Sequence, residues 1–137
     1  MEKPLRIRDP VHGLICFESD IDRCAWRLLD TPEFQRLRRI KQLGVSELVF
    51  PGATHTRFAH SVGTFHVARE LVKIIHDKLQ EKNVLPDNWK ELEEITILAA
   101  LLHDIGHGPF SHAFDVAQRP FVEKANSPRI MENGAQK

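Results

Sequence analysis

Apolar and polar residues alternate over Leu5-Arg6-Ile7-Arg8, and a second short apolar run follows at Leu14-Ile15-Cys16-Phe17. Asp9-Pro10-Val11-His12-Gly13 separates the two runs, so the pattern predicts two short strands around a turn, a small ribbon packed on a helical body. In so tight a turn His12 is read as a structural hydrogen-bonding residue rather than a ligand. The period then becomes helical. Ser19 is placed to cap a helix through Leu29, with Ile21, Ala25, Leu28 and Leu29 on the buried side and Asp20 and Asp22 in the first turn. Thr31-Pro32-Glu33 is a strong start signal for a second helix, expected to run to about Leu43 with Phe34, Leu37 and Ile40 as its core stripe. Gly44 to Thr56 reads as a loop with a weak strand signal at Glu47-Leu48-Val49-Phe50, stopped by Pro51-Gly52.

From Arg57 to about Glu81 a long amphipathic helix is expected, with Phe58, Val62, Phe65, Ala68, Val72 and Ile75 at helical spacing. Gly63 inside it costs about 1 kcal/mol relative to Ala, which points to close packing against a neighbour or ligand. His66 and His76 find no partner in the pattern and are read as surface or packing residues. After a turn at Asn83 to Asn88, a helix is expected from Trp89 to about Ile105, acidic at Glu91, Glu93 and Glu94 and apolar later; it reads as the buried helix of the domain. Ser111 to Val116 suits one short turn of helix carrying His112. The class is therefore mostly α with a minor N-terminal β-ribbon.

The chain has 137 residues, enough for one domain with a hydrophobic core, which we place at 1–117. Residues 118–137 have two prolines, little apolar content and no period, and read as a disordered tail or a truncated end. The 19 lysines and arginines balance 19 aspartates and glutamates, so bulk attraction to nucleic acid is not indicated and any anion would be held by a local patch. With only Cys16 and Cys24, and no apolar segment after the first Met, the expectation is a reduced, cytoplasmic protein without a membrane span.

Chemistry concentrates between Ala99 and His112. An apolar run leads into His103-Asp104, and Gly106, Gly108 and Pro109 then end the helix. Three histidines and one aspartate within ten residues exceed what a core usually tolerates, and imidazole with carboxylate suits a divalent transition metal. The alternative is a helix C-terminus whose histidines sit near its last carbonyls, favoured by the helix dipole. Adjacent helical residues point about 100° apart, so His103 and Asp104 can flank one ion. His60, in the first turn of the Arg57 helix, is the other imidazole in apolar helical surroundings.

An isolated His about forty residues before an adjacent His-Asp, each on a helix, resembles the HD metal-dependent phosphohydrolase superfamily. The chain is most similar to its deoxynucleoside triphosphate triphosphohydrolase branch, of the sterile-alpha-motif and HD-domain type. Six colinear blocks carry the resemblance: Asp9-Pro10-Val11-His12-Gly13, Leu29 to Arg38, Lys41-Gln42-Leu43-Gly44, Val49 to Ala53, Arg57-Phe58-Ala59-His60-Ser61, and His103 to Phe114. The resemblance implies an HD helical core, truncated on its C-terminal side, and a divalent ion (Fe, Mn, Zn, Ni or Mg) held by His60, His103 and Asp104. A fourth ligand, an Asp from a helix well downstream, is missing; Asp115 follows the motif too closely to supply it. By the same resemblance Arg57 contacts substrate phosphate, His107 and His112 lie near the phosphates and leaving group, and Gln42 and Leu43 line the substrate pocket. Asp30, Gln35 and Arg38 match residues that read an activator nucleotide. The implied partner is a deoxynucleotide, and a homo-oligomer is compatible with it. Two functions follow: a triphosphohydrolase weakened by the missing ligand, or a non-catalytic HD fragment that binds nucleotide or a partner.

Overall fold

The computed structural model describes residues 5–110. Along the chain come β1 (Leu5–Asp9), β2 (Gly13–Phe17), α1 (Asp20–Leu29), α2 (Pro32–Gln35), α3 (Arg57–Glu81) and α4 (Trp89–Leu102), with 3-10 turns at Arg36–Arg39 and Ser46–Leu48. The mostly helical class with a two-stranded N-terminal ribbon is the architecture observed. The expected turn at 111–116 with His112, and the tail at 118–137, lie outside the described residues.

β1 and β2 pair antiparallel from Leu5↔Phe17 to Asp9↔Gly13. The turn closes because Asp9 Oδ1 accepts from the backbone N–H groups of Val11 (2.8 Å) and His12 (2.9 Å), and Gly13 takes a φ of +74° that side chains disfavour. Alternation along β2 sends Ile15 and Phe17 inward, where both are buried. Ser19 caps α1 in a reciprocal box: its Oγ accepts from Asp22 N at 3.3 Å, while Asp22 Oδ2 accepts from Ser19 N at 3.0 Å and Glu18 N at 3.1 Å. Asp22 is buried, and Arg69 of α3 offsets its charge at 3.2 Å while donating to the Cys16 carbonyl at 2.9 Å. One guanidinium thus joins the ribbon, α1 and α3. Both cysteines are free.

The second helix is shorter than its start signal suggested. Thr31 caps it as expected, but α-helical geometry ends at Gln35 and tightens into a 3-10 turn through Arg39, not Leu43. The core stripe explains this: Phe34, Leu37 and Ile40 recur every three residues, the period at which 3-10 side chains align, and all three are buried. Ile40 is extended, and Lys41 bridges Thr56 across the intervening loop. The weak strand signal at 47–50 gives way to the 3-10 turn Ser46–Leu48, which leaves Leu48, Val49 and Phe50 exposed and unpaired with any strand among the described residues.

α3 has the predicted bounds, with Thr56 accepting from Ala59 N at 3.3 Å as its cap. Phe58, Val62, Phe65, Ala68 and Val72 are buried, but Ile75 is 45% exposed, because the packing layer ends about one turn earlier. Phe65 stacks on Phe17 at 5.4 Å, and Phe58 meets Phe34 edge to face at 5.6 Å. Gly63 is the close approach that its position suggested: a Cβ there would stand 3.0 Å from His12 Nε2. His12 also lies beside His66, with ring centroids 5.2 Å apart, and His76 sits by Asp77 and Trp89.

α4 packs along α3. Among the described residues only one side of it is covered: Ile97 and Leu101 are buried, whereas Leu92 and Ile95 are exposed, so the expected buried helix is buried along one face. It also stops earlier, at Leu102, with His103 as its C-cap. Beyond that point the turns tighten, with Ile105 N donating to Leu102 O at 3.0 Å and His107 N to Asp104 O at 3.1 Å. No described helix is long and apolar enough to cross a membrane.

Candidate metal centre

The first turn of α3 and the turn after α4 meet, and they bring His60, His103 and Asp104 together. One donor atom from each lies within 4.8 Å of the others. His60 Nε2 stands 3.2 Å from His103 Nε2 and 3.8 Å from Asp104 Oδ2, and His103 Nε2 is 3.6 Å from Asp104 Oδ1. Two donors on one ion, each with a bond of about 2.0–2.2 Å, are at most about 4.4 Å apart. The imidazole pair and the approach of each imidazole to one or other carboxylate oxygen are shorter than that, so the donor set is compatible with a single ion. Two imidazoles and a carboxylate are also the mixture that a divalent transition metal prefers.

Protonation supports the same reading. His103 Nδ1 lies 2.8 Å from the Ala100 carbonyl, an acceptor only, so Nδ1 is the donor there and Nε2 is the ring nitrogen turned toward His60. Burial lowers the His60 pKa from its ordinary 6.5; the Asp104 carboxylate opposes this, while His103, His55 and Arg57 add to it. Burial alone would raise Asp104, yet Arg57, His103 and His60 together hold its carboxyl below the usual 3.8. The folded chain therefore favours neutral His60 and ionised Asp104, the forms that ligate.

The His60 shift has a sign that can be tested. An unfolded chain protonates His60 near 6.5 and the folded chain only at lower pH, so this contribution to stability is full above 6.5 and is lost as pH falls through the lowered folded value. In urea titrations of metal-free protein from neutrality to about pH 5, stability should fall with pH, and less steeply in His60→Gln. Equal slopes for the two proteins would count against the shift.

Arg57, expected at a substrate phosphate, is buried, and its Nη1 stands 2.8 Å from Asp104 Oδ2. It serves as counter-ion to the candidate ligand. His107 joins the cluster with Nε2 3.6 Å from Asp104 Oδ1, while His112 lies outside the described residues. Gln42 leaves its amide oxygen buried without a hydrogen-bond partner among the described residues, and its neighbour Leu43 is half exposed. The expected nucleotide surface forms a connected group. Gln35 donates to the Leu29 carbonyl at 2.7 Å and accepts from Arg38 Nε at 2.8 Å, and the Arg38 guanidinium lies 3.5 Å over the Phe58 ring. Asp30 is exposed at the C-cap of α1.

The apolar stripe Phe34, Leu37 and Ile40 leaves Arg36 off the core side and gives it no role in the sequence pattern. Arg36 reaches the loop after α4, donating from Nη1 to the His107 carbonyl at 2.9 Å and from Nη2 to the Ile105 carbonyl. Its identity among four basic residues between 36 and 41 carried no signal of that reach. The Asp22–Arg69 pair was equally invisible, since each reads as surface charge in its own helix.

Comparison with known proteins agrees with this geometry. The HD domain family matches residues 57–133, which begins at the first residue of α3 and takes in His60, His103 and Asp104. The chain is 46% identical over 109 residues to the uncharacterised protein YwfO of Bacillus subtilis, covering 79% of this chain and 23% of that protein. It is 47% identical over 109 residues to deoxynucleoside triphosphate triphosphohydrolase SAMHD1 of Xenopus laevis, covering 78% of this chain and 16% of that one. Its match to the Homo sapiens SAMHD1 is 46% over 110 residues, covering 80% and 16%. The chain thus spans less than a quarter of the length of each of these relatives. The family match covers more than half of the chain and holds all three metal donors, and on that ground the chain belongs to the HD domain family.

Proposed function

We propose that this chain is a metal-dependent phosphohydrolase that cleaves a deoxynucleoside triphosphate into deoxynucleoside and triphosphate. The convergence of His60, His103 and Asp104 is the observation that carries the reading, and the triphosphohydrolase relatives supply the substrate class. A bound divalent ion would act as Lewis acid toward a phosphate oxygen and lower the pKa of an attacking water. The chain's own residues do the rest. Arg57 keeps Asp104 ionised and aimed at the site. His107, beside Asp104, is placed to move a proton at a phosphate or leaving oxygen, a role we extend to His112 on sequence grounds. The unpartnered amide oxygen of Gln42 is an acceptor suited to a substrate N–H or O–H, with Leu43 offering an apolar wall. The pre-ordered Gln35–Arg38 pair, with Asp30 near it, is our candidate nucleotide surface, since its side chains are already held in place.

A second reading is favoured by the donor count: three donors rather than four converge among the described residues, an arrangement that holds an ion less tightly and can bind nucleotide without turning it over. One experiment separates the two. Metal-loaded protein is incubated with each deoxynucleoside triphosphate, products are assayed for triphosphate and deoxynucleoside, and dGTP binding is followed by calorimetry. Triphosphate release supports the hydrolase; dGTP binding without release supports the second reading; neither binding nor release defeats both.

A further inference from the structure

We infer that Arg36 is a positioning residue of the metal centre, acting through the backbone that carries two of its donors. The inference rests on the metal reading above and adds a residue outside the donor set. Arg36 lies in the 3-10 turn after α2, and its root is fixed because Phe34 and Leu37 on either side are fully buried. From there its guanidinium spans to the loop after α4 and takes the carbonyls of Ile105 and His107.

Those carbonyls belong to the stretch that most needs an external hold. α4 ends at Leu102, and the carbonyls past its last turn have no helical partner, at the negative end of the helix dipole. Gly106 and Gly108 follow, and glycine adds backbone freedom where the loop must stay fixed. Among the described residues nothing within 4 Å would meet a Cβ on Gly106, and none of their side chains packs against it there. A planar fork that binds two carbonyls sets both distance and orientation, as an ammonium group cannot. Between the two gripped carbonyls and the helix end lies Asp104, whose Oδ1 must keep 3.6 Å from the Nε2 atoms of both His103 and His107 while its Oδ2 stays on Arg57. Holding Ile105 and His107 therefore holds the carboxylate's angle to the imidazoles.

Charge alone predicts the opposite effect, which makes the idea testable. Arg36 is a cation near a site for a dication, so by repulsion its removal would strengthen metal binding. Positioning predicts weaker binding. Titrations of metal-free wild type, Arg36→Ala and Arg36→Lys with Co2+, read by visible absorption and calorimetry, should show affinity falling about tenfold or more in Arg36→Ala, the scale typical of lost outer-shell support. The Co2+ spectrum should change with it, and Arg36→Lys should recover only part of the loss despite its full charge. Unchanged or tighter binding with the parent spectrum, in either folded variant, would overturn the inference even if thermal stability fell, leaving Arg36 a purely structural residue. Absence of Co2+ binding by wild type would overturn the metal reading itself, and this inference with it.

Discussion

Replacing Arg57 with Met should destabilise the metal-free chain by about 3–5 kcal/mol, the usual cost of removing one partner from a buried ion pair. Arg57 and Asp104 are 2% and 4% exposed, and their closest atoms stand 2.8 Å apart. Without the guanidinium, the carboxylate keeps its desolvation penalty and loses its main opposing attraction. The Asp104 pKa then rises, because burial is the largest influence on it and already pushes upward. In wild type the lowered pKa contributes stability that is present above 3.8 and lost as pH falls through the folded value; the variant should lose that contribution. A divalent ion would return positive charge to Asp104, so the variant should gain more stability from metal than the parent does. Urea unfolding in chelator and in saturating Mn2+ measures both effects. A loss below about 1 kcal/mol in chelator, the scale of an exposed pair, would mean that the two groups are not isolated from water as their burial implies.

Removing both imidazole donors, in the double variant His60→Gln with His103→Gln, should abolish metal retention. Asp104 would remain, but a single carboxylate already engaged with Arg57 is a weak site, and charge-neutral amides bind transition metals poorly compared with imidazole. This pair is preferred to a variant lacking Asp104, which would strand Arg57 unpaired in the interior and confound metal loss with unfolding. Metal content after desalting, alongside far-ultraviolet circular dichroism to confirm the fold, reads the outcome. A folded double variant that keeps the parent's metal stoichiometry would remove these histidines from the site.

What the sequence revealed depended on how local each cause was. Both ends of α3 were legible because Thr56 caps one end and the apolar period persists through the helix. His60, His103 and Asp104 were legible as donors by residue type, and His103 and Asp104 as neighbours by adjacency. The second helix was misjudged because an every-third stripe was treated as α-helical when it matches the 3-10 period, with Phe34, Leu37 and Ile40 all buried. The end of α4 was overrun by three residues because apolar Ile105 continues the pattern although the backbone has already tightened. Arg57 and Arg36 were illegible in their actual contacts, since a guanidinium's partner across the fold leaves no periodic trace. Charge patterns register exposure by default, whereas Arg57 is buried against Asp104 and Arg36, though exposed, is tied to two backbone carbonyls.

The His12 ring lying on Gly63 sets a limit on where this domain can be cut. Gly63 is one helical turn past His60, so the ribbon's turn is a floor beneath the end of α3 that carries a candidate metal donor. Yet His12, Arg36, and the core residues Ile15, Phe17, Phe34 and Leu37 all precede residue 57, where the family match begins. The segment that the HD family match covers is therefore smaller than the packed unit, and the alignments to the relatives, about 109 residues long, reach beyond it. An excision at Arg57 would keep every matched metal donor while stripping the scaffold that holds them in place.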